Sequence, residues 1–308
     1  EPYPSIFGVT PEEFSRQLDT LGEAAEFLGI KDIIDIIDGR KAMPEKCCVI
    51  TFDDGLKEQY KVAWPILKTK KIPAIFFVNT KPIEEDFVVL THKIHTIRAY
   101  TNPIKFCNIL KDVLVKNNID YKMPLLEKAM IVYKYDNAED AQLKYFLNFV
   151  LNENERILII DQCFERLGFD EKRISDELYM TKDMVIELAD AGVLGTHGHT
   201  HQFFGLSNDI EAKEDFDLSI AKLKNWTGKD IQSLSYPFGF LEACSKSVAE
   251  YAKNHNVRFA FTMEGAGNKT IDMPMFMSRF SNNDAPGGNN CKDNGKFWET
   301  LNYAKWFR

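Results

Sequence analysis

Residues 47–55 read Cys-Cys-Val-Ile-Thr-Phe-Asp-Asp-Gly. The first six are apolar or β-prone, a pattern typical of a strand that is buried on both faces. The Asp-Asp-Gly that follows favours a turn, so two carboxylates are expected at the C-terminal end of this strand. Adjacent residues there point in different directions, so one of Asp53 and Asp54 can bind a metal while its neighbour faces a substrate; a solvated turn is the alternative.

Strands and helices alternate on both sides of this motif. A short apolar run predicts a further buried strand at residues 74–78, and strands are also expected at residues 193–196, 231–236 and 258–261. Capping residues, prolines and glycines predict helices that begin near Thr10, run from Tyr60 to Lys71 with a start or kink at Pro65, and span residues 181–192, 209–226 and 245–254. This alternation predicts an α/β fold with a parallel sheet, open or closed into a barrel, and chemistry at the carboxyl ends of its strands.

The alternation stops between about residues 82 and 178. Three helices are expected there, at residues 106–116, 138–151 and 156–167, without a comparable strand between them. The 308 residues suffice for one large domain. We therefore expect a single domain over residues 1–308 with a helical insertion at about 82–178.

Composition excludes several classes of function. The formal net charge is −8, from 38 basic and 46 acidic residues, without a lysine- or arginine-rich block, so nucleic acid is not an expected partner. No apolar run approaches the ~20 residues of a transmembrane segment. The absence of signal-peptide features favours a cytoplasmic location, and an extracytoplasmic one stays open if a leader preceded Glu1. The six cysteines lack CxxC spacing and are expected to be thiols. The oligomeric state stays open.

A histidine cluster follows the strand at 193–196. The segment His197-Gly-His-Thr-His201 holds three of the six histidines. Catalytic zinc is often bound by two histidines and a carboxylate, with one position left for water. Asp54 would complete such a set with His197 and His201. His199 could replace one of its neighbours, but it is expected to lie outside the ligand set.

Three motifs together resemble a known family. In order along the chain, they are Thr51-Phe-Asp-Asp-Gly55, Gly195-Thr-His-Gly-His-Thr-His201 and Tyr236-Pro-Phe-Gly239. They resemble the successive motifs of the polysaccharide deacetylases, carbohydrate esterase family 4, which have the NodB homology fold. The resemblance covers roughly residues 10–80 and 178–280. It implies a distorted (β/α) barrel with a parallel sheet of seven or eight strands.

The resemblance also implies an activity and its residues. Asp53 would be the general base, and Asp54, His197 and His201 would bind a divalent metal, with Zn²⁺ favoured and Co²⁺ or Ni²⁺ possible. The backbone N–H of Phe238 would stabilise the oxyanion. The reaction would be hydrolysis of N-acetyl groups on an N-acetylhexosamine-containing poly- or oligosaccharide. A catalytically weakened glycan-binding homologue and a deacetylase of a small acetamido sugar are the alternatives.

Two departures from the family motifs concern the loop that carries the histidines and the environment of Asp53, the expected base. Gly198 stands where the family usually has Ser or Thr, which removes a hydroxyl expected to stabilise the metal loop. Ser235 stands where the third motif commonly begins with an arginine that orients and charges the base. Arg279, in Met-Ser-Arg-Phe after the last predicted strand, is the candidate to take over this function for Asp53, because deacetylases with the Tyr-Pro-Phe-Gly variant tend to carry an arginine there. A surface or structural arginine is the alternative.

A third departure concerns the general acid. The late histidine that many members use is missing, because His255 falls at a predicted helix end. His92 and His95 could approach the site, but their spacing also suits an ordinary helix face. The leaving amine could take its proton from Asp53 or from water. Four aromatics near the motifs could stack on sugar rings or pack in the core: Phe203, Phe204, Tyr236 and Phe238.

Overall fold

The computed structural model describes residues 8–119, 125–132 and 138–308. Two compact units divide the chain. One contains residues 88–174, and the other contains residues 9–87 and 175–308. The arrangement expected from the sequence, one domain with an insertion at about 82–178, stays a prediction.

All strands of the described residues belong to the larger unit. They are β1 (Glu26–Phe27), β2 (Cys47–Cys48), β3 (Ile50–Phe52), β4 (Ala74–Val78), β5 (Leu194–Thr196), β6 (Ser233–Ser235) and β7 (Phe259–Phe261). The first two form a separate parallel pair. The other five form one parallel sheet in the order β3-β4-β5-β6-β7. In its register, Phe76 lies beside Phe52 and Leu194, and Leu234 lies beside Thr196 and Ala260.

The strand order identifies the type of α/β fold. A doubly wound sheet reverses its strand order at one point, whereas each strand here adds to the same edge as the strand before it. Because crossovers between parallel strands are right-handed, they place their connections on one face of such a sheet. This is the arc of a (β/α) barrel, and the predicted distorted barrel with a parallel sheet is confirmed. Seven strands are present in the described residues, and five of them belong to the arc.

The described residues of both units contain α-helices. They are α1 (Pro11–Gly22), α2 (Ile30–Ile37), α3 (Trp64–Lys70), α4 (Lys81–Glu84), α5 (Leu90–Tyr100), α6 (Pro103–Lys116), α7 (Leu126–Val132), α8 (Ala138–Tyr145), α9 (Glu153–Arg166), α10 (Glu171–Leu178), α11 (Lys182–Asp190), α12 (Asp209–Thr227), α13 (Lys246–Asn254) and α14 (Asn294–Phe297). The described residues of 88–174 contain helices and no strand, as the sequence predicts. None of the described helices has the length and apolarity needed to cross a bilayer.

Both faces of the sheet are buried. Phe76 and Phe77 are neighbours on β4, so their side chains point to opposite faces, and both are fully buried. Phe76 packs in a cluster with residues of α3, α11 and α12, whereas Phe77 packs with Phe259, Phe261 and residues of α2. Burial of each such ring contributes about 2–3 kcal/mol. This two-sided burial explains why β4 reads as a continuous apolar run.

Helix ends follow the predicted capping signals. Thr10 and Glu13 form a capping box at the start of α1, with backbone-to-side-chain bonds of 2.8 and 3.2 Å. Gly228 ends α12 in the left-handed conformation. The disturbance predicted at Pro65 is a π-helical segment, Gln59–Ala63, directly before α3. Pro65 has no N–H with which to continue the α-helical bonding of the preceding turn, so a change of helix type at this point is expected.

The sequence did not predict β1 and α2, and it merged two strands. The run from Cys47 to Phe52 is interrupted at Val49, so that β2 pairs with β1 while β3 pairs with β4. The apolar pattern identifies an extended segment but does not reveal a change of pairing partner. The segment of β1 and α2 packs Leu28, Ile33 and Ile34 against the face of the sheet that carries Phe77.

Candidate active site

The three polar motifs lie at one edge of the parallel sheet. Asp53 and Asp54 directly follow β3, His197 directly follows β5, and Tyr236 directly follows β6. All strands of this sheet run in the same direction, so their carboxyl ends meet at the same edge. The topology therefore brings together residues that are far apart in the sequence.

Three of these side chains form a compact set of ligand atoms. Oδ1 of Asp54 lies 3.3 Å from Nε2 of His197 and 3.4 Å from Nε2 of His201. The three ligand atoms lie within 4.8 Å of one another. Two ligands ~2.1 Å from a tetrahedral zinc ion are roughly 3.4 Å apart, and two imidazoles with one carboxylate are a common donor set for catalytic zinc. The residues present therefore fit a divalent metal ion.

The backbone at this site is strained. Among the described residues, seven other than glycine have a positive φ, and three of these are Asp54 (76°), His201 (64°) and Phe238 (63°). Left-handed backbone is unfavourable for residues with a Cβ and persists where the surrounding structure enforces it. Three such residues in the three motifs indicate a site whose shape is imposed by the fold.

The ring of His197 is held in one orientation. Its Nδ1 lies 2.7 Å from the backbone carbonyl oxygen of Ser235, which can only accept a hydrogen bond. Nδ1 therefore carries the proton, and Nε2 faces Asp54 as a ligand atom. Burial lowers the pKa of His197, but the carboxylates of Asp53 and Asp54 raise it, and the net shift is upward. The site thus has a negative potential that favours a cation.

Asp53 is held by a buried arginine. Arg279 donates from Nη1 to Oδ1 of Asp53 at 2.9 Å and from Nη2 to Oδ2 at 2.8 Å, and its side chain is only 9% exposed. The hydroxyl of Ser235 donates to Oδ2 of Asp53 at 3.1 Å. Burial alone would raise the pKa of Asp53, but the charge of Arg279, with that of His197, lowers it below its ordinary value. The structure therefore brings Arg279 to the carboxylate that the sequence predicts it to orient.

Arg279 has further contacts that fix its position. It donates to the hydroxyl of Thr51 at 3.1 Å and to the backbone carbonyl of Thr262 at 3.2 Å. Its Nη2 also lies 2.9 Å from the hydroxyl oxygen of Ser235. A side chain held at this many points can present a fixed fork to Asp53.

Comparison with known proteins assigns the family. Residues 40–117 and 142–260 match the sequence profile of the polysaccharide deacetylases. The chain belongs to the polysaccharide deacetylase family. The poly-β-1,6-N-acetyl-D-glucosamine N-deacetylase of Staphylococcus epidermidis is 27% identical over 219 residues, which cover 54% of this chain and 75% of that protein. The enzyme of the same name from Staphylococcus aureus strain N315 is 27% identical over 220 residues, covering 54% and 74%.

Solved structures of similar proteins share the fold of this deacetylase. IcaB from Ammonifex degensii superposes with a TM-score of 0.55 at 18% identity, over 96% of this chain and 89% of that one. The Streptococcus pyogenes deacetylase PplD, in complex with acetate, gives a TM-score of 0.53 at 14% identity, over 88% and 80%. At these identities the likeness concerns the fold alone.

The four aromatic residues near the motifs differ in their exposure. Tyr236 is fully buried and stacks on Phe276 at a centroid distance of 5.7 Å, so it cannot receive a sugar ring. Phe203 and Phe204 are also buried, in agreement with the core-packing alternative. Phe238 is half-buried, stacks on Phe203 at 3.9 Å and lies 4.6 Å from the ring of His201. Of the four candidates, Phe238 alone is partly accessible.

The remaining histidines lie in different surroundings. His199 is buried, and its Nδ1 lies 2.8 Å from the hydroxyl of Thr80, outside the set formed by Asp54, His197 and His201. Burial lowers its pKa. His92 and His95 lie on helix α5, as their spacing suggested, and His255 follows the end of α13. These positions give no support for His92, His95 or His255 as the general acid.

Two further residues of the site were missed in the sequence. Asn79 and Thr80 follow β4, the strand between β3 and β5. The amide of Asn79 donates to the backbone carbonyl of His197 at 2.5 Å, and the backbone N–H of Thr80 donates to that of Gly198 at 3.3 Å. Their position after a buried strand is the signal that could have identified them.

Proposed function

We propose that this chain hydrolyses the N-acetyl groups of an N-acetylhexosamine polymer with the help of a divalent metal, for which Zn²⁺ is the first candidate. The observation that carries the proposal is the set of Asp54, His197 and His201 beside a carboxylate, Asp53, that is held by Arg279. The substrate class comes from the staphylococcal relatives, whose names specify poly-β-1,6-N-acetyl-D-glucosamine.

Each residue would have a distinct role in this reaction. Asp54, His197 and His201 would hold the cation, and the chemistry it supplies is polarisation of the amide carbonyl and a lower pKa for a coordinated water. Asp53 would accept the proton of the attacking water, because Arg279 keeps its carboxylate ionised and oriented. The backbone N–H of Phe238 would stabilise the oxyanion. Asp53 would then return its proton to the leaving amine.

A glycan-binding protein without activity is the second candidate, since the late histidine of the family is missing. Binding a metal requires only Asp54, His197 and His201. A second carboxylate fixed by a buried arginine costs folding energy and has no function in binding alone. This observation favours catalysis over binding.

The test combines metal content with acetate release from poly-β-1,6-N-acetylglucosamine. Wild type is expected to release acetate, Asp53→Asn to keep its metal and lose about 100-fold or more in rate, and His201→Ala to lose both metal and activity. Asp183→Asn, an exposed aspartate at the start of α11, is the matched control and should behave as wild type.

Three results would overturn the proposal in whole or in part. Full activity of a metal-loaded Asp53→Asn enzyme would remove Asp53 as the base. A wild type that binds metal and polymer but releases no acetate from the polymer would favour the glycan-binding candidate. Release from monomeric N-acetylglucosamine and not from the polymer would indicate a small-sugar deacetylase.

A further inference from the structure

A buried carboxylate lies behind the loop that carries the two histidines. Asp215 is in helix α12 and is only 4% exposed. Its Oδ1 accepts from the backbone N–H of His199 at 2.7 Å. Its Oδ2 accepts from the backbone N–H of Thr200 at 2.8 Å and from the hydroxyl of Thr200 at 2.5 Å. All three donors belong to the segment between His197 and His201.

The opposite side of this loop is held by the segment that follows β4. The side chain of Asn79 and the backbone N–H groups of Thr80 and Lys81 donate to the carbonyls of residues 197, 198 and 199, respectively. Residues 79–81 therefore satisfy the carbonyl groups, whereas Asp215 satisfies two N–H groups. Without Asp215, both donors would lose their acceptor, and the buried N–H of His199 would be left unsatisfied at the full cost of an unpaired polar group.

The charge of Asp215 is not explained by an ion pair. Among the residues that the structure describes, no lysine or arginine forms a salt bridge with it, in contrast to Asp53 and Arg279. A buried carboxylate is costly unless hydrogen-bond donors surround it. Within the described residues, all hydrogen bonds of the Asp215 side chain come from the loop of residues 197–201. The side chain of Asp215 therefore links α12 to the 197–201 loop.

Asp215 also accounts for the unusual Gly198. A Cβ at position 198 would lie 2.7 Å from Oδ1 of Asp215, and the φ of Gly198 is +80°. A serine or threonine at this position would therefore conflict with Asp215 in its present place. The hydroxyl that is missing at position 198 is replaced by a carboxylate from α12, while the N–H of Gly198 donates to the hydroxyl of Thr196 at 3.2 Å.

We propose that Asp215 is a positioning residue that sets the metal affinity of the site by holding the 197–201 loop in the conformation in which His197 and His201 face Asp54. This inference rests on the proposed metal site and adds a residue that touches neither metal nor substrate. Groups that orient metal ligands from behind typically change metal affinity by about 10–100-fold when they are removed.

The test measures Zn²⁺ affinity by competition with a chromogenic chelator, together with the visible absorption spectrum of the Co²⁺-loaded protein. Asp215→Asn is expected to weaken Zn²⁺ binding about 10-fold, since an amide keeps one acceptor, and Asp215→Ala about 100-fold. Both should alter the Co²⁺ spectrum. Gln17→Ala is the matched control, because Gln17 is similarly buried and also makes two bonds to backbone groups, at residues 282 and 286. It should lower thermal stability without changing Zn²⁺ affinity or the spectrum.

The outcomes separate this proposal from the proposed function. If wild type binds Zn²⁺ and both Asp215 variants bind it within twofold of wild type, the positioning role is refuted while the metal site stands. If wild type binds no metal, the proposed function is refuted, and the positioning role of Asp215 is refuted with it. Should the Asp215 variants not fold, Thr200→Val removes only the hydroxyl donor to Asp215. Affinity lowered at least threefold supports the proposal, and unchanged affinity overturns it.

Discussion

Replacing Arg279 tests how Asp53, the proposed general base, is controlled. In Arg279→Met, Asp53 loses both charge-assisted bonds, of 2.8 and 2.9 Å, and keeps the hydroxyl of Ser235. Removing one partner of a fully buried ion pair costs about 3–5 kcal/mol, and the lower end applies here because the side chain of Asp53 is 26% exposed. If about 3 kcal/mol of this is lost from the transition state, kcat/KM falls roughly 150-fold. Metal content should change little, because Asp54, His197 and His201 stay in place.

The same variant should change the pH dependence. Arg279 lowers the pKa of Asp53, while burial raises it. Without Arg279 burial prevails, so the acid limb of the kcat/KM profile should move to higher pH. The stability from the lowered pKa is present above the pKa of unfolded aspartate, about 3.9, and is lost as the pH falls through the folded value. The stability difference between wild type and Arg279→Met should therefore be largest near neutral pH and narrow in acid.

Two control variants sharpen this experiment. Arg279→Lys keeps a charge but loses the planar fork, so its activity should lie between those of wild type and Arg279→Met. Arg258→Met removes another arginine–aspartate pair, with Asp38, before the start of β7, and should change kcat/KM less than twofold. An Arg279→Met enzyme that keeps half of the wild-type activity, or an acid limb that does not move, would refute the reasoning.

Two further predictions concern packing around the site. Gly195→Ala should lower the free energy of unfolding by about 1–3 kcal/mol, measured by urea denaturation, because its Cβ would lie 2.4 Å from the ring of Phe77. A loss below 0.5 kcal/mol would show that the ring moves aside easily. Tyr236→Phe should keep or raise the melting temperature and leave acetate release unchanged, because the fully buried hydroxyl makes no hydrogen bond with the described residues. A marked fall in activity would place this hydroxyl in the reaction.

The main sheet could be predicted because its signals are local. A continuous apolar run marks β4, and polar residues mark the strand ends at which the motifs lie. Capping residues such as Thr10 and Thr181 mark helix starts without knowledge of the rest of the fold. The pairing of β2 with β1 depends instead on contacts between distant segments, for which the short strands carry too little pattern.

The site could be predicted only in part for a similar reason. The proposed ligand set, Asp54, His197 and His201, follows from residue types and from the edge at which parallel strands end. Asp215 belongs to a helix with several acidic residues, and its charge alone does not distinguish it from its exposed neighbours. Its position does carry a signal, because Ala212, Phe216, Ser219 and Leu223 form the buried face of α12 and Asp215 lies on that face. A carboxylate on an apolar helix face requires hydrogen-bond donors, and the nearby loop supplies them.

Two of the departures from the family motifs have a common explanation. At position 235, a small serine leaves room for the guanidinium of Arg279, whose Nη2 lies 2.9 Å from the serine hydroxyl oxygen. At position 198, a glycine leaves room for Asp215. In each case the motif residue is smaller than usual, and a charged side chain from a later element occupies the space. Restoring the usual residue alone should therefore be harmful, because an arginine at 235 or a serine at 198 would meet a side chain already in place.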